Sequence, residues 1–295
     1  MKVNKSTITG GFWQNWQRIN AEDAMFHQWD QLEASGCIDN FRILVEGKGG
    51  FRQGWYFADS DAYKWLEAAS AILPAFPNPR LSETMDAFIS LIQGAQDPDG
   101  YLYTFNQIHF PSTRWANLQI EHELYCHGHL IEAGVTHAEC LGEEKLLSIA
   151  QITADRIVAD FLPQGSRFTP GHEEIEIALL RLYQVTGSRD YLEMGRAFLE
   201  RRGRMRWFAP KLLRDFISNN HRVSRVEKEK AAYQAAHPDQ NVPPLPPENE
   251  AKQPPGIGLR FMWNALSGRF FQQHKPLAKQ IEPVGHAVRF AYLET

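Results

Sequence analysis

The sequence predicts an all-α fold, assembled as an array of helical hairpins. Apolar residues recur at the helical period through most of the chain, while strand patterning is thin. A Gly-His dipeptide also recurs before apolar helical stretches, at 128–129, 171–172 and 285–286. The first two copies lie 43 residues apart, each closes on glycine, and each is followed by a second amphipathic helix. A period of about 40–45 residues with two helices per unit describes a helical-hairpin repeat or a toroid.

The elements follow in order. Helices are expected near 13–35, 60–73, 80–95 and 121–141, with Gly36, Pro74 and Gly142 as stops. Asp97-Pro98-Asp99-Gly100 reads as a turn before a short extended piece, Tyr101–Phe105. In 143–162, Leu146, Ala150, Ala154, Ile157 and Phe161 fall on one helical face. In 171–187, Ile175, Leu179, Leu182 and Tyr183 form a stripe that Ile177, Leu180 and Val185 widen, so this helix should be buried on most sides up to its stop at Gly187. The next helix takes Ser188 as N-cap and Tyr191, Met194, Gly195 and Phe198 as its face. Residues 203–235 leave room for one or two more helices, and the last helix spans about 282–295. Seven prolines within 237–258 forbid regular structure there, so this segment reads as a loop or linker inside a single domain, 1–295. Arg201, Arg202, Arg204 and Arg206, with Arg222, Arg225, Lys228 and Lys230, read as a solvated helix face. The helices are fewer than a closed ring of six hairpins needs, so the array is expected to be open or the chain truncated before ring closure.

Composition excludes several function classes. The balance of 31 Lys+Arg against 35 Asp+Glu argues against nucleic acid or an anionic membrane as the main partner. Three cysteines without a C-x-x-C pair make a disulfide framework unexpected and point to a reducing, cytoplasmic setting. No signal peptide is visible after the first lysines, and no membrane-spanning apolar run exists. Aromatic residues reach 12%, including eight Trp, which suits sugar platforms and large cores alike.

Several groups are candidates for chemistry. On a helix, His122, Cys126 and His129 share a face, a spacing compatible with metal ligation, with lining a pocket, or with a satisfied core. Asp59 or Ser60 can cap a helix, and Glu173 and Glu174 fit a first helical turn, where the dipole favours carboxylates. Paired carboxylates, Asp61 included, also serve general acid–base work on glycosidic bonds. The glycine-rich 47–54 lacks a P-loop ending and reads as a flexible loop.

Long strings then resemble one family. They are Phe57-Ala58-Asp59-Ser60-Asp61-Ala62-Tyr63-Lys64-Trp65-Leu66-Glu67-Ala68, Ala95-Gln96-Asp97-Pro98-Asp99-Gly100-Tyr101-Leu102, His122-Glu123-Leu124-Tyr125-Cys126-His127-Gly128-His129-Leu130-Ile131-Glu132-Ala133, Gly171-His172-Glu173-Glu174-Ile175-Glu176-Ile177-Ala178-Leu179 and Gly285-His286-Ala287-Val288-Arg289. Ile38-Asp39-Asn40-Phe41 and Gly11-Phe12-Trp13 fit as well. These collinear matches resemble glycoside hydrolase family 127, the beta-L-arabinofuranosidases. The resemblance implies an (α/α)6 barrel, of which this chain is the N-terminal portion. It also implies release of non-reducing-end L-arabinofuranose from plant-derived glycans, with retention. The family's nucleophile is a cysteine thiolate on zinc, bound by a Glu-x-Cys and a Cys-Cys pair, with a separate Glu as acid/base. Zinc keeps a thiol ionised at neutral pH, and the thiolate is the nucleophilic form. In the family those groups follow the Gly-His-Ala-Val-Arg helix, beyond Thr295. Cys37, Cys126 and Cys140 stand in neither context. The expectation is therefore no metal and no catalytic residue in this chain, and no activity from it alone. His129, His172 and His286 match the family's sugar-contacting histidines. Ala58 departs from the family, where Gln is common. The expected partner is a carbohydrate with an L-arabinofuranosyl end, and exposed apolar helix faces would favour self-association. A non-catalytic sugar-binding or scaffold module, or half of a split enzyme, are the alternatives.

Overall fold

Helix is the only regular structure among the described residues of this computed structural model, which are 8–47, 50–240 and 257–294. In chain order the helices are α1 (Gly11–Ile19), α2 (Met25–Ala34), α3 (Cys37–Glu46), α4 (Asp59–Ile72), α5 (Pro79–Ala95), α6 (Thr104–His109) and α7 (Glu123–Leu141). They continue with α8 (Lys145–Phe161), α9 (Ile175–Thr186), α10 (Arg189–Arg201), α11 (Phe208–Ala236), α12 (Ile257–Leu266) and α13 (Ala287–Glu294). A π-helical stretch at Asn20–Ala24 joins α1 to α2.

Helices α4, α7 and α9 stand side by side as an inner layer, and α5, α8 and α10 stand behind them as an outer layer. Each inner helix packs on the outer helix that follows it. This is the hairpin array that the repeat predicts, a partial helical barrel. The stripe on α8 is fully buried, as is that on α10. On α9 the first turns are buried, but Val185 in the last turn is exposed, so burial there is less complete than the apolar pattern suggests. One core lies among α2–α5 and the Tyr101–Phe110 segment, and a second among α7–α10. A small third cluster joins Met205, Phe208 and Leu212 to Phe271.

Other expectations are corrected. Gly36 ends α2 in the left-handed region, yet it also occupies the N-cap position of α3, so the stop is also a start. Tyr101–Phe105 is not a strand. Its first residues are irregular and buried, and α6 begins at Thr104, whose N–H and hydroxyl both donate to Asp59 at 2.8 and 2.6 Å. Asp59 therefore ties two segments together, while Ala58 occupies the cap position of α4. Ser188 sits at the N-cap of α10, but its side chain makes no capping bond. The last helix starts at Ala287, after Pro283 and a left-handed Gly285. Residues 203–235 hold one long helix, α11. Of the proline-rich segment, 241–256 lies outside the described residues. The basic stretches are not one solvated face. Arg202 is buried between Glu173 at 2.6 Å and Glu176 at 2.7 Å, and buried Arg222 meets Glu121 at 2.8 Å. Arg204, Arg206, Arg225 and Lys228 are exposed as expected. No described helix is long and apolar enough to cross a membrane.

Candidate functional site

The segments leading into α4, α7, α9 and α13 meet at one end of the array. The rings of Tyr56 and Phe57, before α4, lie 5.3 and 5.4 Å from His122, before α7. His122 lies 5.1 Å from His172, before α9, and His172 lies 6.2 Å from His286, before α13. Tyr125, one turn into α7, sits between His129 and His172, at 4.4 Å from each ring. Tyr292 on α13 closes the group, 6.1 Å from His129 and 5.9 Å from His172. The three Gly-His histidines thus converge, although they do not occupy equivalent helical positions. His129 lies inside α7, whereas His172 and His286 precede their helices.

The glycines explain how the histidines reach this place. A Cβ on Gly171 would lie 2.4 Å from the backbone of Gln119, and one on Gly285 would lie 2.3 Å from the Arg269 carbonyl oxygen. Gly128 faces the Glu174 side chain and the first backbone nitrogen of α9. Each histidine therefore follows a point where two chain segments touch.

Burial sets the protonation states. Loss of hydration pulls His122 and His129 down to about 3 and His172 to about 2, and Arg289 adds to the effect at His122 and His172. His286 is lowered for the same two reasons. All four are neutral at physiological pH. The Nδ1–H of His172 donates to the Glu173 carbonyl at 2.7 Å, and that of His122 to the Ile120 carbonyl at 3.1 Å. A carbonyl only accepts, so each Nε2 presents a lone pair. His129 Nδ1 lies 3.3 Å from a Glu174 carboxyl oxygen. Burial, with the charges of Glu132, Glu67 and Glu176, pushes Glu174 up to about 9, so it stays protonated. Glu173 is raised to about 7 by burial, against the pull of Arg202. Buried Arg289 lies over Phe271 at 4.5 Å, close to this carboxyl group.

The remaining candidates take other roles. Cys126 turns away from the imidazoles toward the Phe57 carbonyl, 3.8 Å off, and burial raises its thiol pKa. Cys37 donates to the Ala58 carbonyl and is raised likewise. Both thiols are held protonated where they stand by burial and by the charge of Asp59. Among the described residues no three His, Cys, Asp or Glu side chains assemble as metal ligands, so the donors present do not fit zinc. Asp61 is exposed beside Lys64. Glu173 and Glu174 precede α9 instead of lying in its first turn, and both are buried. The glycine-rich loop is pinned where it is described. Arg52 donates to the carbonyls of Gln53, Gly54 and Trp55. Sequence reasoning missed Tyr125, Tyr292 and Arg289. A signal existed for two of them: Tyr125 lies between His122 and His129 at helical spacing, and Arg289 follows His286 by three positions.

The end of this partial helical barrel is walled by neutral imidazoles and phenols, which set hydrogen-bonding nitrogens beside apolar ring faces. The sequence profile of the beta-L-arabinofuranosidase GH127 catalytic domain matches residues 5–294, and the chain belongs to that family. The non-reducing end beta-L-arabinofuranosidase of Bifidobacterium longum subsp. longum is 33% identical over 241 residues, covering 72% of this chain and 36% of that protein. The crystal structure of a GH127 beta-L-arabinofuranosidase from Geobacillus stearothermophilus T6 superposes with a TM-score of 0.75 at 32% identity, over 97% of this chain and 40% of that one. A second solved GH127 beta-arabinofuranosidase gives 0.71 at 26% identity, over 97% of this chain and 38% of its own. The chain thus spans between 36% and 40% of the length of these relatives.

Proposed function

We propose that this chain forms the sugar-binding part of a glycoside hydrolase that acts on L-arabinofuranosyl ends, and that the 295 residues by themselves bind without turning over. The observation that carries this reading is the convergence of His129, His172 and His286 at the open end of the barrel. His172 accepts a hydrogen bond from a sugar hydroxyl through its bare Nε2, His286, whose Nδ1 accepts from the Arg289 N–H, donates through its Nε2–H, and Tyr125 and Tyr292 supply apolar ring surface. Retaining cleavage needs a nucleophile and an acid/base group on opposite sides of the sugar carbon. Glu174 holds a proton at neutral pH, as an acid would, but its carboxyl is buried beside His129. Asp59 is tied to Thr104, and the two buried thiols are protonated. Zinc, which a nucleophilic thiolate would need, is not held by residues of this chain in this reading.

Titration with methyl beta-L-arabinofuranoside, followed by tryptophan fluorescence or calorimetry, tests the binding. Saturable binding that His172→Ala weakens by about tenfold, the loss of one good hydrogen bond, supports the reading. The same chain should release no 4-nitrophenol from 4-nitrophenyl beta-L-arabinofuranoside. Turnover abolished by Glu174→Gln or Cys126→Ala would overturn the second half of the proposal, and binding indifferent to His172→Ala would overturn the first.

A further inference from the structure

A second groove lies at the same end of the barrel. Its walls come from the stretch before α7 (Trp115, Leu118), the stretch before α9 (Arg167, Phe168) and the start of α11, and its volume is about 530 Å³. It adjoins the histidine end through the backbone. The N–H of Gly171, the residue before His172, donates at 2.8 Å to the carbonyl of Leu118.

Two independent features mark this groove. The first is charge. Arg167, Arg206, Lys211 and Arg214 all line it. The one carboxylate among their partners is buried Asp215, which Lys211 contacts directly and Arg214 approaches at 3.7 Å. Arg167 and Arg206 have no carboxylate partner among the described residues, so the groove carries a clear positive excess. Lys211 is lowered by burial despite its bond to Asp215, and the charges of Arg214 and Arg167 act in the same direction as burial.

The second feature is aromatic. Only four non-glycine residues among those described have positive φ, and two of them, Trp115 at 59° and Trp207 at 62°, are tryptophans of this groove. A bulky residue in this region is an outlier that its surroundings must hold. Trp115 is held from within. Its N–H donates to Glu123 at 2.9 Å, and its indole N–H donates to Asp160 at 2.8 Å. The Trp207 ring has no such anchor among the described residues and is 77% exposed. A large ring held out over a cationic groove offers a stacking face beside several carboxylate-binding groups.

We propose that this groove binds an acidic sugar, a uronate residue of the same glycan whose arabinofuranosyl end meets the histidines. Arginine forks match the carboxylate, and the exposed indole matches the apolar face of the pyranose ring. Inorganic phosphate would meet the cations alone. The uronate assignment rests on the carbohydrate reading of the histidine end, whereas the groove and its charge do not.

The test uses the full chain and trigalacturonate, with its methyl ester as the uncharged control and inorganic phosphate as a competitor. Trigalacturonate should quench tryptophan fluorescence saturably, and the ester should bind at least about tenfold more weakly. Arg206→Gln combined with Arg214→Gln should weaken trigalacturonate by a similar factor, and Trp207→Ala should remove most of the quench and the affinity. These are surface positions, so folding should be unaffected. Absence of trigalacturonate binding would overturn the proposal. So would equal binding of the methyl ester, or a Trp207→Ala chain that binds trigalacturonate and phosphate as the parent does. Methyl beta-L-arabinofuranoside is titrated in parallel. Should it fail to bind while trigalacturonate binds as expected, the arabinofuranoside reading falls and the acidic-sugar groove stands.

Discussion

Helices α10 and α12 have comparable apolar faces and opposite fates. On α10 the stripe Tyr191, Met194 and Phe198 is fully buried against α9 and α8. On α12, Leu259 and Trp263 are each 71% exposed, and Phe261 and Met262 are exposed too. Amphipathic spacing defines a face, but burial needs a neighbour that presents a matching one. Helix α10 closes a hairpin with α9, whereas among the described residues α12 packs on α11 and the turn at Arg269–Phe271. The hairpin region is a core, and the outer face of α12 is a surface with core-like composition.

The sharpest way to break this contrast is to cut the link between the two regions. Arg202, at the end of α10, pairs with Glu173 and Glu176 and also donates to the Phe271 carbonyl at 3.3 Å. Arg202→Leu would leave two buried carboxylates without their cation, and urea unfolding should show a loss of about 3–5 kcal/mol. A loss under about 1 kcal/mol would mean that the hairpins stand without the link.

How far these features were legible in the sequence follows from the same contrast. The stripes on α8 and α10 were readable because burial there is continuous and local. Helix α6 was not, because its start is set by Asp59, 45 residues earlier. The inward arginines escaped for the same reason. Arg202 finds Glu176 26 residues away, and Arg222 reaches Asn106 116 residues away. At the site, the glycine before each histidine was visible, since close backbone contact leaves a mark in composition. Tyr292 was not singled out, because a phenol facing a pocket and one facing a core have the same helical address.

A smaller effect concerns pH. Burial holds His109, His122, His127, His129 and His172 at about 2 to 4, well below their usual 6.5. The unfolded chain therefore takes up protons below pH 6.5 that the folded chain refuses, and stability falls as pH drops from there toward 4. Glu123 and Glu173 are raised to about 7 and Glu174 to about 9, from 4.5. The folded chain keeps these protons while the unfolded chain sheds them, so that contribution is full below pH 4.5 and is lost as pH rises through 7 and 9. Between 4.5 and 6.5 the imidazoles, His274 and His286 included, outnumber the carboxyls even when Asp61, Glu121 and Glu132, which burial also raises, are counted, and from 6.5 toward 9 the carboxyls dominate. The urea midpoint should therefore peak near pH 6.5 and decline on both sides. A profile rising steadily to pH 9 would show that Glu123, Glu173 and Glu174 are not held protonated.

The smallest expected effect on stability is on α12. Phe261→Ser with Trp263→Gln should change folding stability by no more than about 0.5 kcal/mol per site. It should also lower any concentration-dependent association seen by sedimentation velocity, because these rings form part of an exposed apolar patch. A large loss of stability would mean that the face is covered within the folded chain.

The glycine beside each site histidine bears on how this scaffold can be altered. The Cα of His172 is located by a contact between two backbones, Gly171 against Gln119, and that of His286 by Gly285 against Arg269. Neither location depends on which apolar side chains fill the cores behind. Redesign of those cores for heat resistance, or drift in them over generations, can exchange leucine for methionine or isoleucine and leave the imidazoles where they are. A single methyl group added at Gly171 or Gly285 would instead push two chain segments apart and shift a histidine with them, however well the cores were packed.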